Sequence, residues 1–191
     1  MSRLAKLLNR LGDRLHVGIF GPSLCGKSNV GKWLMLQYWN LFGVRSLVLD
    51  PNPLQKWPAC ALRFYNADKF WPYVWTVRGC CVFADEMSSR KTRRQEALTE
   101  YFTRGRQNDH VVHIMGHDPM DLLQEQRAQI QTYFLFDQMP QKAQSMADEW
   151  SEPRLLECVG LPQFEFLMCD KYADKATRRH KITHGIFPEF K

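Results

Sequence analysis

Short apolar runs alternate with stretches of helical periodicity along most of the chain. HVGIF over residues 16–20, SLVLD over 46–50, CCVFA over 80–84, VVHIMG over 111–116 and TYFLF over 132–136 read as strands buried on both faces. LRFYN over 62–66 adds a further strand, and FEFLMC (164–169) and HKITH (180–184) read as late strands of a hairpin or sheet edge. Helical patterns fall between them. One runs from Lys27 to Phe42 and stops at Gly43; one spans 92–104 with Ala97, Leu98, Tyr101 and Phe102 on one face; one covers 141–150. KFWPYVWTV (69–77) reads as a short helix interrupted by Pro72, and PMDLLQEQRAQI (119–130) as a helix with Pro119 in its first turn. Residues 2–12 place Leu4, Leu7, Leu8 and Leu11 at i, i+3, i+4 and i+7, an amphipathic helix with a basic opposite face. Strands alternating with helices predict an α/β fold with a mostly parallel sheet, whose ligands bind outside the C-terminal strand ends.

Composition narrows this little. The chain has 191 residues, enough for one domain, and 45% hydrophobic residues, which argues against disorder. The division expected is an N-terminal helix over 1–14, a core over 15–136, and C-terminal helices and strands over 137–191. A net charge of +6 permits an anionic partner without requiring one. The six cysteines form no CxxC, so zinc-ribbon and thioredoxin-like motifs lack support. No apolar run approaches the ~18 residues of a membrane span, and no signal peptide opens the chain. A soluble protein in a reducing compartment is the expectation.

The loop after residue 20 carries the strongest chemistry. Gly21-Pro22-Ser23-Leu24-Cys25-Gly26-Lys27-Ser28 fits G-x-x-x-x-G-K-[ST] in full, between a strand and a helix. Its backbone N–H groups, with Asn29 in the following turn, are expected to cradle phosphates at a helix N-terminus. Lys27 is expected to reach the β- and γ-phosphates, and Ser28 to ligate Mg²⁺. The strand over 80–84 ends in Asp85-Glu86. Asp85 is the expected metal partner of Ser28, and Glu86 the group that polarises an attacking water. Arg90, Lys91, Arg93 and Arg94 follow at once, a candidate path for a polyanion or a solvated charged turn. A second basic set, Lys171, Lys175, Arg178, Arg179 and Lys181, reads as a solvated edge hairpin.

His110, His113 and His117 suggest a metal site that strand geometry disfavours. His110 and His113 face opposite sides of a strand, and His113 and His117 lie about 13 Å apart on one face. His117, at the strand's C-terminal end, is better placed to sense a γ-phosphate.

GPSLCGKS, VLDPN, CCVFADE and GRQNDHVVHIMGHDP together resemble the FtsK/HerA superfamily of DNA-pumping ATPases, most of all the genome-packaging ATPases of tailless, internal-membrane double-stranded DNA viruses. The resemblance runs from His16 to about Phe136. It implies an ASCE/RecA-like P-loop NTPase fold with a C-terminal β hairpin, using ATP and Mg²⁺ to move double-stranded DNA into a preformed capsid. It also implies a homo-oligomeric ring, a hexamer, with DNA in its pore, located at the packaging vertex of the virion and in host cytoplasm. Capsid-vertex or internal-membrane proteins of the virion are the further partners it suggests. Arg106, thirteen residues before Pro119, matches the arginine that reaches a neighbour's γ-phosphate, with Arg104 the runner-up. His117 stands where the family carries a sensor glutamine, and Asp118 where it carries an arginine. A P-loop nucleoside or nucleotide kinase and a non-catalytic nucleotide-binding assembly factor remain as alternatives.

Overall fold

The computed structural model describes residues 16–85, 92–174 and 179–187, without the side chains of 92–97, 106, 172, 174 and 179. The amphipathic segment 2–12, Glu86, Arg90, Lys91, Lys175 and Arg178 lie outside the described residues. One eight-stranded sheet organises the rest, in the order β3-β2-β4-β5-β1-β6-β7-β8. The strands are β1 His16–Phe20, β2 Ser46–Leu49, β3 Ala61–Phe64, β4 Cys81–Ala84, β5 Val111–Gly116, β6 Ile130–Leu135, β7 Glu165–Asp174 and β8 Arg179–Ile186. The first six run parallel; β7 and β8 close one edge as an antiparallel hairpin.

Period-2 alternation sorts each central strand between two cores. Val17 and Ile19, Val48, Cys81 and Phe83, Met115, and Phe134 pack with Val30, Leu34, Met35 and Tyr38 of helix α1 (Lys27–Phe42). Leu47, Leu49, Val82, Ala84, Val112, Ile114, Tyr133 and Leu135 face the other way. There they meet Phe70 and Val74 of α2 (Ala67–Thr76), Leu98, Tyr101 and Phe102 of α3 (Thr92–Gln107), and Met146 and Trp150 of α5 (Pro140–Trp150). A short helix α4 (Gln124–Gln129) leads into β6. Among the described residues, no helix is long and apolar enough to cross a membrane.

Three local expectations change. Helix α2 runs through Pro72 without a break: Asn66 caps it by accepting from Asp68 N at 2.7 Å, and Phe70 and Val74 anchor it on either side of the proline. The segment 119–130 is two elements, a 3₁₀ turn over Pro119–Asp121 and α4, because Leu122 and Leu123 are extended. Leu122 is buried there, and its carbonyl accepts from the Arg127 guanidinium. Lys171 belongs to no solvated face. It is 6% exposed, lies 4.4 Å from the Trp150 ring centroid, and donates to Arg127 O at 3.2 Å. Lys181 is exposed, as expected of a hairpin edge.

Candidate active site

The phosphate loop sits at the C-terminal end of β1, which lies between β5 and β6 in the parallel array. Gly21 N donates to Gly116 O at 3.2 Å, tying the loop's first residue to the end of β5. A Cβ at Gly21 would lie 2.5 Å from Phe136 Cβ and 2.9 Å from Cys25 Sγ, so the close approach admits only glycine. Gly26, at φ 113, turns the chain into α1. Helix α1 has no side-chain cap and no acidic residue in its first turn, which leaves its N-terminal N–H groups and dipole available to an anion. Lys27 Nζ donates to Gly21 O (2.8 Å) and Pro22 O (2.7 Å), so the ammonium is folded over the mouth of its own loop. Leu24, at the loop's apex, holds a left-handed φ of 63° and is 85% exposed.

The strand bearing Asp85 is not the neighbour of β1; β5 lies between them. Asp85 follows β4, is half-buried, and is held by its backbone N–H donating to Leu49 O at 3.0 Å. The intervening strand delivers Gly116 and then His117, exposed, between the phosphate loop and Asp85. Asp118 beside it caps the 3₁₀ turn through Met120 N (2.8 Å) and pairs with Lys142 at 2.8 Å. Ser28 and Asp85 offer a hydroxyl and a carboxylate oxygen, the hard donors that suit Mg²⁺.

The other histidines have structural partners. His113 stacks on Phe83 with centroids 4.0 Å apart and meets Tyr38 Oη on the α1 face; burial pushes it down to about 3, so it stays neutral. His110 faces the other layer, between Val74 O (2.9 Å) and Cys80 N (3.2 Å). The opposite-face expectation for this pair therefore holds.

Arg106 and Arg104 lie near the end of α3, which feeds the N-terminal end of β5. That is the end of the sheet opposite the chain's own phosphate loop. Arg104 is engaged within the chain, pairing with Glu100 and lying 5.2 Å from the Trp75 ring centroid. Arg93 and Arg94 fall in the first turn of α3.

Two parts of the site escaped sequence reasoning. The first is a brace around Asp50, the residue after β2. Its carboxylate is buried and accepts from Asn52 N (2.8 Å), Trp57 Nε1 (2.7 Å) and Arg63 Nη2 (2.9 Å). Arg63 also donates to Gln55 O at 2.6 Å, which fixes Gln55 beside Lys32 in the wall of the phosphate cleft. Lys32 is lowered by burial, with Asp50 opposing the shift. The second is a strap over residues 161–164 that crosses the loop from the far edge of the sheet. Phe164 N donates to Cys25 O at 3.2 Å and Gln163 Nε2 to Leu24 O at 3.0 Å. A cleft of about 410 Å³ lies between these parts, lined by Gly26, Lys27, Ser28, Lys32, Gln55 and Gln163 among others.

No protein-family model matches the chain, and no curated protein matches its sequence. Solved structures do match. The crystal structure of B204, the DNA-packaging ATPase from Sulfolobus turreted icosahedral virus, aligns at TM-score 0.69 and 16% identity over 88% of this chain and 96% of that one. The genome-packaging NTPase B204 from Sulfolobus turreted icosahedral virus 2, in complex with AMPPCP, aligns at TM-score 0.68 and 16% identity over 92% and 99%. The cytoplasmic domain of the Thermomonospora curvata type VII secretion ATPase EccC aligns at 0.64 and 12% identity, over 94% of this chain but 24% of that one. At these identities the likeness speaks for architecture: the chain has a P-loop NTPase fold, a mostly parallel sheet flanked by helices.

Proposed function

We propose that this chain is an ATP-hydrolysing motor subunit that drives double-stranded DNA into a viral capsid. The observation that carries the reading is a complete phosphate loop and Asp85, set one strand apart, in a fold aligned almost end to end with a viral packaging ATPase. In this reading the loop N–H groups and Lys27 bind the triphosphate, while Ser28 and Asp85 hold the Mg²⁺ that accompanies it. Bound Mg²⁺ supplies charge neutralisation of the β- and γ-phosphates. Glu86, next in the chain after Asp85, orients and polarises the attacking water. His117 contacts the γ-phosphate from the end of β5.

The site needs a positive group from elsewhere to offset charge on the transferring phosphoryl. Arg106 lies at the end of the sheet opposite its own loop, which suits a role on a neighbouring protomer in a ring, taken here as a hexamer. Arg104 is less suited, because Glu100 and Trp75 already hold it. Arg90, Lys91, Arg93 and Arg94 are the DNA contacts in this account, each adding a salt-sensitive, sequence-independent share of affinity. Capsid-vertex or internal-membrane proteins complete the partner set.

Translocation is tested by displacement of a triplex-forming strand from linear duplex DNA. The reading predicts displacement that requires ATP and is abolished by Lys27→Ala. A strand left in place by assembled, hydrolysing protein contradicts the motor role.

A further inference from the structure

We infer that Gln163, carried by the strap over residues 161–164, is the residue that selects the nucleotide base, and that it selects a 6-aminopurine. The inference rests on the nucleotide-binding reading of the phosphate loop and deepens it.

The direction of the nucleotide follows from the sheet order. Asp85 and Ser28 mark the metal end of the triphosphate, and β4 lies on one side of β1. In this inference the ribose and base extend to the other side, toward β6 and β7. The strap occupies that side. Gln163 and Phe164 line the same cleft as Gly26, Lys27, Ser28 and Asn29. The Phe164 ring lies against the loop, since a Cβ at Gly26 would come 3.0 Å from its Cδ1.

The strap is held in a strained form. Phe164 is an aromatic residue with φ 68°, in the left-handed region that side chains rarely adopt. Leu24, across from it, is the loop's own left-handed residue. Phe164 N donates to Cys25 O and Phe187 N donates to Phe164 O, so the backbone is fixed from both sides. Strain maintained in this way marks positions whose geometry serves a site.

Gln163 itself is exposed, and its amide has one assigned orientation. Nε2 donates to Leu24 O at 3.0 Å, and a carbonyl can accept only from the NH₂ end. That leaves Oε1 as an acceptor and one Nε2 hydrogen as a donor, on a side chain that lines the cleft. An adenine edge offers the complement, an amino donor at C6 beside a ring-nitrogen acceptor. A 6-oxopurine offers the reverse, an acceptor beside an N–H. A free glutamine would flip to suit either. This one must give up its bond to Leu24 O to do so.

The test is equilibrium binding of ATP, inosine triphosphate and inorganic tripolyphosphate to the full chain with Mg²⁺, for the wild type, Gln163→Ala and Gln163→Glu. The expected wild-type preference for ATP over inosine triphosphate is about 10- to 100-fold, the worth of one bidentate pair. Gln163→Ala brings the ratio to about 1, and Gln163→Glu, which keeps an acceptor but loses the donor, gives an intermediate ratio. Tripolyphosphate reports the loop itself: any loss from the missing Leu24 contact in Gln163→Ala, or from the added charge in Gln163→Glu, falls equally on both nucleotides, so the ratio of ATP to inosine triphosphate affinity isolates base selection. Equal binding of the two nucleotides by the wild type, or an unchanged ratio in Gln163→Ala, overturns the inference and leaves the phosphate loop intact. Failure of the wild type to bind tripolyphosphate or either nucleotide overturns the phosphate-loop reading and this inference with it.

Discussion

Gly21→Ala adds a single methyl group at the point where the phosphate loop, β5 and β6 converge. The new Cβ would stand 2.5 Å from Phe136 Cβ, 2.9 Å from Cys25 Sγ and 3.3 Å from Phe136 Cγ. Carbon atoms in contact sit at about 3.5–4.0 Å, so something must move by roughly 1 Å. Phe136 cannot yield easily: it is fully buried, and its N–H donates to Phe20 O at 2.9 Å. Cys25 is also buried, with its carbonyl engaged by Phe164 N. The loop backbone is the softest member and takes the displacement. Overpacking of this kind costs about 1–3 kcal/mol of stability. A displacement of about 1 Å in a positioning element costs about 100-fold in turnover. Thermal unfolding and kcat/KM for ATP, measured on the same preparations, give both numbers. Gly43→Ala is the control: its φ of 64° strains the new side chain, but no atom lies within 4 Å. It is expected to lose about 1–2 kcal/mol and no activity, because it ends α1 far from the loop. A Gly21→Ala protein with wild-type stability and kcat/KM within about twofold would refute the claim that this contact sets the loop.

Other predictions follow from buried charge and from the proposed ring. Burial lowers the Lys171 ammonium from 10.5 to about 8. The unfolded chain therefore binds more protons than the folded one between those values, so the penalty is fully present below pH 8 and is relieved as pH rises through the window. Lys171→Met removes up to about 3 kcal/mol of that penalty, while Tyr133 Oη still donates to Arg127 O at 2.9 Å. Denaturant unfolding should show the variant more stable at pH 7, with an advantage that shrinks from pH 8 to 10.5; a less stable variant with a pH-independent difference contradicts this. Arg63→Ala leaves the buried Asp50 carboxylate without its cation, a loss of about 3–5 kcal/mol and about 10 °C in Tm by calorimetry. A shift under about 2 °C would mean that the brace is not rigid. Finally, if Arg106 acts across the protomer boundary, inactive Arg106→Ala and inactive Lys27→Ala proteins should recover ATP turnover when mixed. No recovery in co-assembled protein removes the trans assignment.

The sequence pattern was most informative where one residue type has one structural consequence. The short apolar runs HVGIF and VVHIMG placed β1 and β5, and with them the loop after Phe20 and the position of His117 after Gly116. The phosphate loop was legible because its glycines and its lysine serve a single local geometry. Lys171 was misread because a charged residue near a hairpin normally faces water; here Trp150, Tyr133 and Arg127 O enclose it. Asp50 before Pro51 looked like a strand end, and only the tertiary placement of Trp57 and Arg63 makes it a brace. The strap was the hardest part to see. Gln163 and Leu24 are 139 residues apart, and neither carries a periodic signal. The left-handed backbone at Leu24 and Phe164 is likewise a product of packing rather than of residue type.

Steady-state ATP hydrolysis by assembled protein, with and without double-stranded DNA, bears most directly on the central claim. Glu86→Gln serves as the control that removes the water-activating group while keeping the loop. The account predicts strong stimulation by DNA that weakens with salt and disappears in Glu86→Gln. Hydrolysis indifferent to DNA in a protein shown to be assembled would contradict the motor function and leave only the nucleotide site standing.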